Sequence, residues 1–463
     1  MSDVAASRKE LFGHPVGLYV LFFTEMWERF SYYGMRAILV LYLVARDRGA
    51  NPGLGWTDAE ALSLYGWYTM LVYVASIPGG IIADKLLGQR KSVLVGGILL
   101  CFGHGILAIE QMWAFYSGLI LIIAGVGMLK PNISTMVGGL YRQGDVRRDK
   151  GFTIFYIGIN IGAFASSLLV GYIGEVYGWH YGFGLAGIGM LLGMIVYLFG
   201  QKYLSHVGNY IGKSKDPEEI VAAKRPLSKV EKDRVVVLLI SFLLVIVFWG
   251  AFEQAGGLMN LYAKEKTSRM LMGFEIPASW FQSLNALFII LLGTAIAGFW
   301  ARRKLKGQLS TSLFKMILGL IIMGSGFFFM SAASAQYQAT GSSAMIWLVL
   351  AYLLHTVGEL CISPVALSYI TKLAPLKYAS IMMGVYFAMT GLGNKVAGLL
   401  GESASQFGEF AVFTGIAVFC ITFGAIVLVF RKKLEYLTHG AEDKEVDYTK
   451  GDKEVEGFEL ADE

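Results

Sequence analysis

Twelve apolar runs of about membrane-crossing length recur along the chain, at 16–45, 57–82, 91–110, 112–139, 150–174, 180–204, 233–264, 278–301, 312–336, 343–371, 379–401 and 409–430. A bilayer core requires about 20 mostly apolar residues per helix, because the backbone must satisfy its own hydrogen bonds there. A chain so patterned can only be a polytopic helical membrane protein. The charge content agrees: 16% of the 463 residues are charged, against about a quarter in soluble domains. That composition excludes a soluble enzyme, a disordered chain and a nucleic-acid-binding protein with a broad basic face. The first run is too long, and residues 1–10 too polar, for a cleavable signal peptide. Cys101, Cys361 and Cys420 all lie inside apolar runs, which reads as inert buried thiols and not as a disulfide framework. The six histidines form no His-x-x-x-His pair, so neither a metal nor any other cofactor is expected.

The runs divide six and six. Residues 205–232, with Lys213, Lys215, Asp216, Glu218, Glu219, Lys224, Arg225 and Lys229, read as a solvated connector. The expected domains are a six-helix bundle over 1–204, the connector over 205–232, a second bundle over 233–430 and a charged tail over 431–463. Basic residues cluster in every second loop: Lys85, Arg90 and Lys91; Arg142, Arg147, Arg148 and Lys150; Arg302, Arg303, Lys304 and Lys306. The positive-inside rule then puts both termini in the cytoplasm. Two six-helix halves with a long cytoplasmic connector suggest the major facilitator architecture, which holds substrate between its halves near the midplane. The loop after the second run supports this: Gly80, Asp84 and Arg90 resemble that superfamily's cytoplasmic motif, the glycine permitting close helix packing and the aspartate offering a partner to basic groups when the cytoplasmic side is closed. A turn made basic by orientation alone is the competing reading.

The informative residues are ionisable ones inside the runs, each costing roughly 2.5–3.5 kcal/mol to insert near the bilayer centre. At 3.6 residues per turn Glu25, Arg29, Tyr32, Tyr33 and Arg36 form one stripe of the first helix, with Glu28 at its edge. Such a stripe must face a cavity, or else be a self-neutralising cluster that only fixes packing. Lys130, before Pro131, interrupts the fourth run and requires an acidic partner or water. Asn160 in the fifth is either a site residue or packing glue. The second half carries acids, Glu253 after Trp249 and Glu359 after Gly358, with Asn285 between them in the chain. Basic groups from one half would therefore face acids from the other, an arrangement suited to a small zwitterion. Lys315 and Lys395 read as snorkelling residues, and Glu402 as an outer helix end.

These residues resemble the proton-dependent oligopeptide transporters. Glu25-Met26-Trp27-Glu28-Arg29, continued by Tyr32-Tyr33-Gly34, is similar to that family's Glu-x-x-Glu-Arg motif. Residues 79–84, the Phe155–Gly162 stretch, Phe248–Gln254 and Gly358-Glu359 are similar to further family motifs in the expected order. The resemblance implies a bacterial symporter, not an enzyme, that imports di- and tripeptides with protons across the inner membrane, with the bilayer and no nucleic acid as its surroundings. It implies proton coupling by Glu25, Glu28, Arg29 and Lys130. Arg29, Tyr33 and Lys130 would help hold the peptide carboxylate and Asn160, Asn285 and Glu359 its amino terminus, with Tyr73 a binding tyrosine and Trp249 a pocket wall. Gate salt bridges would join Arg36 to Glu253 outside and Lys130 to Glu359 inside. Two departures stand out. Gly66 occupies the place of a histidine that joins the proton chemistry in animal members, and the connector is too short and polar for the extra helical hairpin of many bacterial ones. A drug–proton antiporter would favour an acidic aromatic cavity, which Arg29, Arg36 and Lys130 oppose. An intramembrane enzyme would require a base beside Ser363, and His355 is two turns away. A nitrate or amino-acid transporter on the same scaffold is the third alternative.

Overall fold

The computed structural model describes residues 9–141, 145, 147–209, 226–375 and 379–441. Twelve long helices carry the fold. In the first half they are α1 (Val16–Val44), α2 (Asp58–Val74, continued by Ser76–Ile82), α3 (Gln89–Leu107), α4 (Met112–Gly139), α5 (Arg148–Tyr172) and α6 (Trp179–Gly200). In the second they are α7 (Lys229–Phe252), α8 (Ser283–Leu305), α9 (Ser312–Thr340), α10 (Met345–Leu373), α11 (Ala379–Phe407) and α12 (Glu409–Tyr436). Among the described residues ten helical segments are long and apolar enough to cross a membrane; α1, with its charged stripe, and α11 are not among them. The expected connector falls largely at 210–225 and the tail largely at 442–463, outside the described residues.

Local chemistry sets the helix ends. The Thr57 side chain accepts from Glu60 N–H while the Glu60 carboxylate accepts from Thr57 N–H, a capping box that starts α2. Ser228 and Glu231 do the same for α7, which therefore begins four residues before the expected 233. That helix also breaks where a continuous span to 264 was expected. Glu253–Ala255 is a 3-10 turn, the glycine pair Gly256-Gly257 follows, and Leu258–Lys266 continues as a separate helical piece. Wide π-type turns close α2 at Ala83–Leu87 and α5 at Ile173–Tyr177. The two-residue strands lie in loops: Glu10–Leu11 pairs antiparallel with His14–Pro15, Met270–Leu271 antiparallel with Phe274–Glu275, and Thr267–Ser268 parallel with Ser343–Ala344.

An even number of crossings returns the chain to its starting side. At that terminal end Arg90 N–H donates to Gly208 O, and Arg234 donates to Thr438 O. At the far end Asn51 donates to Gly174 O, and Lys266 pairs with Glu409. Within the halves α1 packs on α5 and α6, α3 on α4, and α9 on α10 and α12; between them α2 packs on α11 and α5 on α8. The α2–α11 seam is close. A Cβ on Gly66 would stand 2.9 Å from Gly398 Cα, and one on Gly398 would stand 2.8 Å from Gly66 Cα. A histidine side chain at position 66 has no room there, which is the physical reason this chain keeps glycine.

Two expectations are corrected by the packing, those for Gly80 and Lys395. The cytoplasmic-motif glycine expected to allow close packing is Gly80, yet a Cβ there meets nothing within 4 Å; Gly79 makes the close approach, against the Gly127 carbonyl of α4. Asp84 is exposed and has no ion pair among the described residues. Lys395 does not snorkel free: it lies 3.5 Å from Glu402 and 4.7 Å from the Trp67 ring centroid, at the α2–α11 seam. Lys315 lies 5.5 Å from the Trp300 ring centroid.

Candidate functional site

The stripe on α1 is buried against both halves. Glu25, Glu28 and Arg29 are 2%, 0% and 3% exposed. Arg29 Nε donates to Glu25 Oε1 at 2.7 Å and stands 2.9 Å from Glu28 Oε2. One N–H cannot serve two carboxylates well, and both Glu28 oxygens lack a hydrogen-bond partner. Two carboxylates thus share one guanidinium in a region that water barely reaches. Further along the stripe, Tyr33 lies between its two arginines, the ring centroid 5.9 Å from Arg29 Cζ and 4.7 Å from Arg36 Cζ.

Arg36 crosses to the other half. Its Nη1 donates to Glu253 Oε1 at 2.9 Å and to Oε2 at 3.1 Å, and the Tyr65 hydroxyl of α2 donates to Glu253 Oε2 at 2.8 Å. The break in α7 gives this contact its place, since Glu253 opens the 3-10 turn. Toward the far end the halves are bonded further. Asn260 and Gln282 both donate to Ala37 O, at 2.9 and 3.3 Å, and Trp280 Nε1 donates to Leu168 O at 3.0 Å.

The remaining expected residues are divided between the halves: Tyr73, Lys130 and Asn160 in the first, Trp249, Asn285 and Glu359 in the second. Lys130 of α4 places its ammonium 3.8 Å from the Tyr73 ring centroid, a cation–π contact. Glu359 of α10 accepts from Asn285 Nδ2 of α8 at 2.7 Å, and Asn285 also donates to Thr356 Oγ1 at 3.1 Å. Lys130 and Glu359, expected to pair, form no ion pair among the described residues; each has the partner just named. Asn160 turns its amide back along α5, donating to Tyr156 O at 2.9 Å. Trp249 packs edge-on against Phe248 and Phe252, with ring centroids 5.5 and 5.1 Å away. Gly80, Asp84 and Arg90 lie apart from this group, at the terminal end. His355 is buried against Phe327, ring centroids 4.4 Å apart, and neither ring nitrogen has a hydrogen-bond partner.

The family model for the POT family matches residues 90–216 and 218–414, well over half of the chain. The chain belongs to the POT family. It is similar to the peptide transporter YePEPT of Yersinia enterocolitica, 36% identical over 85% of this chain and 88% of the relative. A di-/tripeptide transporter of Lactococcus lactis is 34% identical over 94% of this chain and 98% of its own length. The crystal structure of a POT family transporter in complex with a thioalcohol-conjugated peptide superposes with a TM-score of 0.86, at 31% identity, over 94% of this chain and all of that one. The architecture is therefore the major facilitator fold of twelve helices in two bundles, and this POT family member is a membrane protein.

Sequence reasoning missed Tyr65, Asn260, Gln282 and Glu175. The first three are uncharged and carry no pattern that separates them from ordinary helix positions. Glu175 follows an apolar run and reads as a loop charge, yet its side chain is 3% exposed and joins the halves.

Proposed function

We propose that this chain is a proton-coupled symporter that imports di- and tripeptides by alternating access. The observation that carries the reading is the α1 cluster, where Glu25 and Glu28 share Arg29 out of reach of bulk water. One carboxylate is in excess, and a proton cancels that excess at the least structural cost. With Glu28 protonated, Arg29 is held by Glu25 alone, and its remaining N–H groups are released toward a peptide carboxylate. Proton and peptide binding are then linked, each favouring the other. The peptide relatives named above, and the peptide conjugate bound by the solved one, support the substrate class.

In this reading Glu25, Glu28, Arg29 and Lys130 couple the proton. Arg29, Tyr33 and Lys130 receive the carboxylate end, Asn160, Asn285 and Glu359 the ammonium end, Tyr73 contacts the peptide and Trp249 walls the pocket. Arg36 with Glu253 forms the outer gate, which is closed here, and Lys130 with Glu359 forms the inner one when the cycle turns over. Asp84 finds its basic partners in that same inward-closed state. The moving bundles are residues 1–204 and 233–430, with 205–232 as connector and 431–463 as tail. The basic loops support cytoplasmic termini in a bacterial inner membrane.

The test is uptake of a labelled dipeptide into liposomes containing only this protein, with an acidic outside. Accumulation that a protonophore abolishes supports the reading; uptake indifferent to the proton gradient, or absent for every dipeptide, overturns it.

A further inference from the structure

Beyond Arg36–Glu253, toward the far end, one carboxylate holds the two halves together. Glu175 lies in the wide turn Ile173–Tyr177 that closes α5, in the first half. Its Oε1 accepts from Ser279 N–H at 2.9 Å and from the Ser279 hydroxyl at 2.8 Å, and its Oε2 accepts from Ala278 N–H at 3.2 Å and from Lys264 Nζ at 3.0 Å. All four donors belong to the second half, in the turn leading into α8 and the helical piece after α7. The wide turn aims the side chain across the gap, as such turns do at functional positions. Its backbone is anchored by Asn51, which donates to Gly174 O at 2.8 Å and Glu175 O at 3.3 Å. One turn back, Gly171 makes room for Ser279: a Cβ there would land on the Ser279 hydroxyl.

We infer that Glu175 is the outer latch of the transport cycle, a positioning residue whose four cross-half bonds set how much of the protein is closed on the far side. The inference rests on the alternating-access reading, because the latch must let go when that side opens. Every donor to the Glu175 carboxylate among the described residues comes from the second half, so the carboxylate loses them all when the halves part. Once the halves part, Glu175 and its donors are wetted, and each exchanges its partner for water. The outer-closed state therefore gains bonds that the outer-open state lacks, and only such a difference shifts a two-state population. Hydrogen bonds to a charged group are strong enough that losing one moves such an equilibrium about tenfold.

The experiment measures spin-label distances between the exposed positions Arg48 and Met272, each changed to cysteine, one in each half at the far end. Cys101, Cys361 and Cys420 are replaced by serine, and the labelled protein is studied in liposomes. Glu175→Gln keeps the shape and removes the charge. The ratio of long to short distances is expected to rise about tenfold. Gly171→Ala displaces Ser279 without altering any charge and is expected to raise the ratio in the same direction. Glu409→Gln removes an acid at the same end whose partner, Lys266, lies in its own half, and the ratio should stay within about twofold of wild type. The latch is overturned if Glu175→Gln and Gly171→Ala leave the ratio unchanged, or if Glu409→Gln moves it equally. Should Glu175→Gln fail to fold, Gly171→Ala and Ser279→Ala are set against Glu409→Gln instead: a raised ratio in both supports the latch, and an unchanged one overturns it. Dipeptide uptake by the unlabelled wild type in matching vesicles is read separately. Failure there sinks the transport reading, whereas distances that ignore Glu175 sink only the latch.

Discussion

Replacing Glu28 by glutamine is the perturbation that bears most directly on coupling. The amide has the shape of a protonated acid and cannot release the proton. At 2.9 Å, Coulomb attraction between the Glu28 carboxylate and Arg29 is about 6 kcal/mol at an effective dielectric of 20. Keeping that carboxylate out of water costs several kcal/mol in the opposite direction. The two nearly cancel, so the substitution should change folding stability by no more than about 1–2 kcal/mol, and Arg29 keeps its 2.7 Å bond to Glu25. Transport should change far more. A gradient of one pH unit supplies about 1.4 kcal/mol per coupled proton, equivalent to a tenfold peptide accumulation. In proteoliposomes with that gradient, the wild type should accumulate a labelled dipeptide about tenfold per proton, while Glu28→Gln stops at equal concentrations inside and out. Counterflow, in which labelled peptide exchanges for unlabelled peptide without a gradient, should stay within about twofold of wild type, because the carboxylate-binding groups are intact. A variant that still accumulates peptide to the wild-type ratio refutes the coupling role. A variant that loses counterflow along with accumulation, and melts well below the wild type, makes the cluster structural.

Removing the charge of Glu253 leaves Arg36 buried without its ion-pair partner, which costs about 3–5 kcal/mol of the outer-closed state. The swap Arg36→Glu with Glu253→Arg should restore part of the transport lost by either single change. Recovery is partial because Tyr65 is placed to donate to a carboxylate at 253, and single effects that simply add in a double-mutant cycle would sink the pairing. Glu359→Gln keeps an acceptor for Asn285, so the side chain stays placed, but it loses the charge that an ammonium requires. Dipeptide affinity should fall by about 10- to 100-fold, and an N-acetylated dipeptide, weak already, should lose little more; equal losses would move Glu359 to a gating role. At the terminal end, hydrogen bonds from Arg147 hold the Asp145 carboxyl below its ordinary value, and Arg147 also reaches Glu10 at 2.9 Å and Gly13 O at 3.1 Å. A depressed carboxyl stabilises above its unfolded pKa and loses that contribution as pH falls through the folded one. The protection of residues 9–16 against hydrogen exchange, taken relative to the intrinsic exchange rate at each pH, should therefore fall below about pH 4, and Asp145→Asn should show the lowered protection at neutral pH; a protection that does not change with pH would refute the tie.

The spans were legible because membrane insertion is a local property, set by the length and apolarity of each run with no reference to its neighbours. The stripe of Glu25, Arg29, Tyr33 and Arg36 was legible for the same reason, since helical periodicity fixes which side chains share a face. Even the opposition of basic and acidic groups between the halves could be read before any contact was known. The start of α7 lay open in the spacing of Ser228 and Glu231, a local rule that hydropathy overlooks. Tertiary structure alone decided what each charge touches. Arg36 and Glu253 lie 217 residues apart, and no periodicity states that they meet, that Tyr65 joins them, or that Lys130 sits on Tyr73 and not on Glu359. Gly66 was only a departure from pattern until Gly398 came against it from the other half. Glu175 looked like a loop charge because its four donors come from segments about 90–100 residues further along. Burial and partnership depend on which helices the fold brings together, and for Arg36, Gly66 and Glu175 those neighbours belong to the opposite half of the chain.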